Sequence, residues 1–283
     1  MSRSPIRKPA PQSDLCIVIP PETANPISLG RNVWTAVPGL ASGVTSTAGD
    51  DLEIAVTAEI RQAGGSIWFR ALVDGVPAQP SDVLFKASDS VFDGLRSFTF
   101  VQPGVAAGQH IVEIESRTGS VASVLKRTLS VCSASPTVGL HRLRTVAAPS
   151  GPSITNSAAD YKDVPHLVTS LRTTVQSGFA ITFSAEAGTN EGRLMVRALI
   201  DGAQVGKEII FAEAGGTARN GTRAFTFAAP TVQPGTHEIR IQWKAPRGKA
   251  WIGDRTLSVS SAGLSAQRQL ARNIDDAVSL NTN

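Results

Sequence analysis

The chain has 283 residues and a mass of 29.6 kDa, enough for roughly two domains of about 150 residues, each able to bury a core without disulfide or metal stapling. Hydrophobic residues make up 41% and mean hydropathy is +0.01, while charged residues, at 18%, fall below the usual ~25%. With 25 glycines, 17 prolines and few helix formers, the composition points to β-structure and excludes a coiled coil or helical bundle; a net charge of +4 is too small to mark a nucleic-acid protein.

Residues 1–31 carry Pro5, Pro9, Pro11, Pro20, Pro21 and Pro26, which forbid a helix and predict an extended arm. The start is basic, but no apolar stretch of leader type follows it, so the chain is expected to be soluble and made without a leader. No run of ~18 apolar residues exists to span a membrane. Within the arm, Leu15-Cys-Ile-Val-Ile19 reads as a strand that adds to a sheet edge, its own or a neighbour's. The two cysteines, Cys16 and Cys132, stand in no CxxC arrangement, which excludes a structural zinc site; they could pair, but two free buried thiols are expected.

After the arm comes a repeat. Phe69-Arg-Ala-Leu-Val-Asp-Gly75 returns as Val196-Arg-Ala-Leu-Ile-Asp-Gly202, and Phe98-Thr-Phe100 as Phe225-Thr-Phe227. Gly108-Gln-His110 returns as Gly235-Thr-His237, and Val37-Pro-Gly-Leu40 as Val164-Pro-His-Leu167, all 127 positions on. Arg127-Thr-Leu-Ser-Val131 returns as Arg255-Thr-Leu-Ser-Val259, 128 positions on. One register held over such lengths, with a single late slip, implies tandem duplication of a whole domain. Within each copy the period is two: Leu52, Ile54, Val56, Ala58 and Ile60, then Phe179, Ile181, Phe183 and Ala185, place one strand face on a core. Asp74-Gly75 and Asp201-Gly202 suit tight turns. The predicted organisation is an N-terminal arm (1–31), a first β-sandwich (32–132), a linker (133–158), a second β-sandwich (159–261) and a tail (262–283). Each sandwich should hold about seven or eight antiparallel strands, jelly-roll or immunoglobulin-like. The tail, with Leu264, Leu270 or Ala271, Ile274 and Val278, is predicted as a short amphipathic helix folded on the second sandwich or docked on a partner.

Chemistry is thin. There is no GxSxG, HExxH, P-loop or strand-to-helix GxGxxG, and no catalytic, cofactor or metal residue is expected. His110 and His237 read as packing or turn residues, Asp74 and Asp201 as turn residues. Arg70 and Arg197 are expected to pair across strands with Glu59 and Glu186. From Glu115 to Asp160 no acid occurs, while Arg117, Lys126, Arg127, Arg142 and Arg144 do. This stretch reads as solvated linker, since no aromatic interleaves it for base stacking. Of the tryptophans, Trp243 is in core phase. Trp34 is answered by Tyr161, and Trp68, on the outer face, is the best exposed contact.

Trp34-Thr-Ala-Val-Pro-Gly-Leu40, the segment from Phe69 to Pro77, Ser97-Phe-Thr-Phe100 and Gly108-Gln-His-Ile-Val-Glu-Ile114 together resemble tandem β-sandwich modules of tailed-bacteriophage virion proteins, of capsid-decoration or head/tail-fibre type. The resemblance covers about 200 residues and implies a virion component, assembled in the host cytoplasm and acting without catalysis or cofactor. Its expected partners are the major capsid protein, other virion proteins or further copies of itself, with no direct nucleic-acid or membrane role. The expected function is capsid decoration or cementing through the arm and sheet edges. The alternative is a fibre, tail or adhesin module binding a host-surface glycan. Partner contacts are expected at Leu15, Ile17, Val18, Ile19, Trp68, Leu270 and Ile274.

Overall fold

The computed structural model describes residues 16–19, 27–62, 65–86, 92–214 and 221–263. Every regular element among them is a strand. They are β1 (Cys16–Ile19), β2 (Ile27–Ser28), β3 (Thr35–Ser46), β4 (Asp50–Gln62), β5 (Ile67–Val73), β6 (Val76–Pro77), β7 (Val83–Lys86), β8 (Phe92–Val105), β9 (Gly108–Thr118) and β10 (Ala122–Ala134). The series continues with β11 (His141–Ala147), β12 (Ile154–Asn156), β13 (Lys162–Thr173), β14 (Ser177–Thr189), β15 (Arg193–Ile200), β16 (Ala203–Glu213), β17 (Gly221–Val232), β18 (Gly235–Lys244) and β19 (Ala250–Gly263).

The strands form three antiparallel sheets of β-sandwich-like layering. A five-stranded sheet runs β1-β10-β4-β8, with β2 also on β10; a four-stranded sheet runs β13-β18-β15-β16. A ten-stranded sheet runs β11-β19-β14-β17-β7-β5-β9-β3, with β12 on β19 and β6 on β5. Among the described residues its two halves meet at one residue pair, Gly221 with Lys86.

Two hydrophobic cores result, one from residues between Val37 and Val131, the other from residues between Ala148 and Val259. In the first, Ile54, Val56, Phe98 and Phe100 of the five-stranded sheet meet Phe69, Phe85, Val112 and Ile114. In the second, Phe179, Phe183, Phe227 and Val259 meet Val196, Ile239, Ile241 and Trp243 of the four-stranded sheet. Period-two burial produces both: β9 and β18 bury alternate residues and turn the others outward.

The outward faces of β4 and β8 are only partly given to water: Leu95 and Arg61 are exposed, while Asp51 and Thr99 are buried. The buried parts lie against β14, β19 and β11, joined by small polar groups. The backbone N–H of Thr99 donates to Ser184 Oγ at 3.2 Å, and Thr256 Oγ1 donates to the Thr99 carbonyl at 2.6 Å. Ser184 and Thr256 are fully buried.

Four expectations change. Cys132 is disulfide-bonded and no described cysteine is free; Cys16, the chain's one other cysteine, is its Cα partner across β1 and β10. The Cys132 thiol is not free, and strand addition sets the Cys16 backbone opposite it. The expected linker supplies β11 and β12, both paired with β19. Nor is its basic run wholly solvated: Lys126 and Arg144 are exposed, but Arg127 and Arg142 are buried and spend their guanidinium groups on backbone carbonyls. Finally, Arg70 pairs with Glu115, not Glu59, and Arg197 with Gln242, not Glu186. The strands that follow one another in sequence, β4 and β5, belong to different sheets, so Glu59 faces Leu95 instead. The predicted C-terminal helix lies outside the described residues.

Candidate functional site

Three constellations carry charged or hydroxyl side chains together. The first follows the Asp-Gly turns. Asp74 and Asp201 adopt φ of 52° and 50°, each followed by a glycine at positive φ, as a two-residue hairpin turn requires. Each carboxylate then reaches the next-but-one hairpin: Asp74 Oδ1 accepts from the Ile111 N–H, and Oδ2 lies 2.7 Å from His110 Nδ1. Asp201, Glu238 and His237 repeat the arrangement with the same His–Asp distance.

In the first copy Ser46 Oγ lies 3.0 Å from His110 Nε2, so Ser46, His110 and Asp74 have the spacing of a nucleophile, a base and its orienting acid. The proton inventory decides against that use. Nε2 is also 3.0 Å from the Ala106 carbonyl, and Ser46 Oγ donates to that same carbonyl at 2.6 Å. A carbonyl only accepts, and so does the Asp74 carboxylate, which its bond to His110 holds below the usual range. Acceptors on both sides favour a ring that donates from both nitrogens, and the bond to Asp74 raises the His110 pKa in the same sense. An imidazolium cannot take the Ser46 proton. The group is a turn clamp.

The second constellation lies on the outer face of β3, β9 and β5. Trp68 faces Arg117 and Arg70 faces Glu115 in the β5–β9 register. Arg70 binds Glu115 through Nε at 2.6 Å and Nη2 at 2.5 Å. Trp34 immediately precedes β3 and spreads over both arginines, 4.5 Å from the Arg70 guanidinium and 5.0 Å from that of Arg117; Arg117 is also 5.0 Å from the Trp68 ring. At the matching place in the second copy the Tyr161 ring lies 3.9 Å from Arg197 and 4.5 Å from Lys244. There Glu208 closes the charge, accepting from Lys244 at 2.9 Å and from the Tyr161 hydroxyl.

The third is the polar junction between the copies. Asp51 accepts from the Thr145 N–H at 2.7 Å, Glu53 from the Ser258 hydroxyl, and Glu186 from the Leu84 N–H. Burial raises the pKa of all three, that of Glu186 to about 7. Glu186 fits because Gly253 has no Cβ, which would come within 2.6 Å of its carboxylate. Among the described residues no three His, Cys, Asp or Glu side chains converge for a metal ion.

No protein-family model and no curated protein matches the chain. Among solved structures it is similar to PNGase F, a glycosylasparaginase from Flavobacterium meningosepticum, at 8% identity over 88% of this chain and 96% of that one, with a TM-score of 0.43. It is also similar to the VP2 subviral particle of infectious bursal disease virus, at 8% identity over 87% and 72%, with a TM-score of 0.31. Likenesses of this size assign no residue a role.

Of the residues singled out in the sequence, Ile17, Val18 and Ile19 lie in β1, opposite Val131, Ser130 and Leu129 of the same chain. Trp68 is half-buried on the outer face, and Trp243 is buried. Leu15, Leu270 and Ile274 lie outside the described residues. Sequence reasoning missed Arg117 as a site residue, because its place between two indoles depends on the β5–β9 and β3–β9 registers.

Proposed function

We propose that this chain is a non-catalytic structural protein of a bacteriophage virion, two tandem β-sandwiches that decorate or cement the capsid by strand addition. The observation that supports it is the behaviour of the arm. Its one apolar segment, β1, acts by main-chain pairing on β10, where Cys16 stands opposite the disulfide-bonded Cys132. This is the chemistry by which a strap extends a sheet, and β1 leaves its own outer edge at the end of the sheet. Many identical copies on a lattice multiply a weak edge contact through effective concentration. A disulfide suits a particle that meets oxidising surroundings after release. Among the described residues no helix is long and apolar enough to cross a membrane.

The test is co-sedimentation with undecorated capsids of the source phage, using the full-length chain and variants lacking residues 1–15 or 1–31. Saturable binding that weakens with the arm is the expected result. The shorter truncation keeps β1 and should bind like the full-length chain, whereas the longer one removes β1 and should lose binding. If all three bind equally, the arm is not the strap. If none binds, the capsid role is wrong.

A further inference from the structure

We propose that the Trp34–Arg117–Trp68 face of the first copy is a binding site for an acidic saccharide, a sugar bearing a carboxylate, independently of the assembly role. The argument begins with charge. Glu115 neutralises Arg70 through two short bonds. Arg117, half-buried on the same face, has two indole rings at 5.0 Å and, among the described residues, no carboxylate within ion-pair distance. Both contacts are to ring faces, and no hydrogen bond among the described residues takes up the Arg117 N–H groups, whose fork matches a carboxylate. The indoles beside it supply the rigid apolar surface on which a sugar ring packs.

The surroundings select a single carboxylate over a polyanion. Glu113 and Glu115 alternate with Arg117 along β9 and, with Arg70, leave the face formally neutral. A phosphate backbone needs a track of cations, which this face lacks. The second copy supplies the internal contrast. Lys244 stands where the first copy has Arg117, Met195 where it has Trp68, and Glu208 occupies the cation. Arg197 there spends its N–H donors on Gln242 and Gln204, so both cations of the second face are engaged and it is not assigned a ligand.

The test is titration of the full-length chain, followed by tryptophan fluorescence, with trigalacturonate, sialyllactose and a hyaluronan tetrasaccharide. Maltotriose and lactose serve as neutral counterparts. At least one acidic sugar should bind saturably, at least about ten-fold more tightly than its neutral counterpart, and less tightly as salt rises. Arg117→Gln should weaken it by about ten-fold or more, the loss of a charge-assisted pair. Arg117→Lys keeps the charge and the stem, so it guards against misfolding, and should still bind several-fold more weakly. Lys244→Gln should leave affinity unchanged. Binding by no acidic sugar, equal binding of neutral sugars, wild-type affinity in both Arg117 variants, or tighter binding of oligothymidylate would each overturn the assignment.

Discussion

Arg127 and Arg255 show how a single buried cation can hold a sheet irregularity in place. In β3 the register against β9 jumps between Ala36 and Ala41, and in β13 against β18 between Asp163 and Val168. The jump lets Val37 and Leu40, and in the second copy Val164 and Leu167, both point into a core, which a regular strand would forbid. The bend needs positive φ at Gly39 (78°) and at His166 (66°), and it frees the Pro38 and Pro165 carbonyls. Arg127 Nε donates to Pro38 O at 2.9 Å and Nη1 to Leu125 O at 2.9 Å; Arg255 makes the equivalent bonds to Pro165 and Gly253. Arg127→Ala should cost about 2–4 kcal/mol of unfolding free energy, through lost charge-assisted bonds and lost packing. Urea denaturation measures it, and a loss below about 0.5 kcal/mol, the range of an ordinary surface substitution, would show that the bulge holds without the arginine.

Among elements, the strands were legible and their neighbours were not. Alternation in Leu52 to Ile60 and in Phe179 to Ala185 marks β4 and β14, and the repeat locates their counterparts, because side-chain burial has a local period. Which strand lies beside which is a non-local fact. It moved Arg70 from Glu59 to Glu115, turned the linker into β11, and set Arg117 between Trp34 and Trp68. The small polar residues facing the other copy, such as Thr99 and Ser184, have the composition of a wet face, so nothing in the sequence distinguished them. The disulfide belongs to the same class, since only the pairing of β1 with β10 sets Cys16 opposite Cys132. Closing so long a loop restricts the unfolded chain, so reduction or Cys132→Ser should lower stability by up to about 4 kcal/mol. Chemical denaturation with and without reductant checks this. An unchanged midpoint would mean that β1 comes and goes without the rest of its sheet.

At the scale of the whole molecule, the junction between the copies should make stability depend on pH. Asp51, Glu53, Glu186 and Asp254 all have raised pKa values, in each case first through burial, with Asp82 adding repulsion at Glu186 and Asp254. A carboxyl whose folded pKa is raised stabilises the fold most below its unfolded value, here 4.5 for glutamate, and that contribution fades as pH rises through the folded value, about 7 for Glu186. His110, raised by Asp74, acts in the same direction across higher pH. The turn acids Asp74 and Asp201 oppose them from below. Their pKa values are lowered from 3.8, so their contribution is complete above that value and is lost as pH falls through the folded one. Stability should therefore peak at about pH 4–5 and decline toward pH 8, with Glu186 accounting for no more than roughly 3 kcal/mol of the decline. Glu186→Gln mimics the protonated acid, with one oxygen left to accept from Leu84. It should raise stability at pH 8, change it little at pH 4.5, and flatten the slope between them. Thermal melts of both proteins across that range decide the matter, and a variant that melts in parallel with the parent at every pH would remove Glu186 as the source.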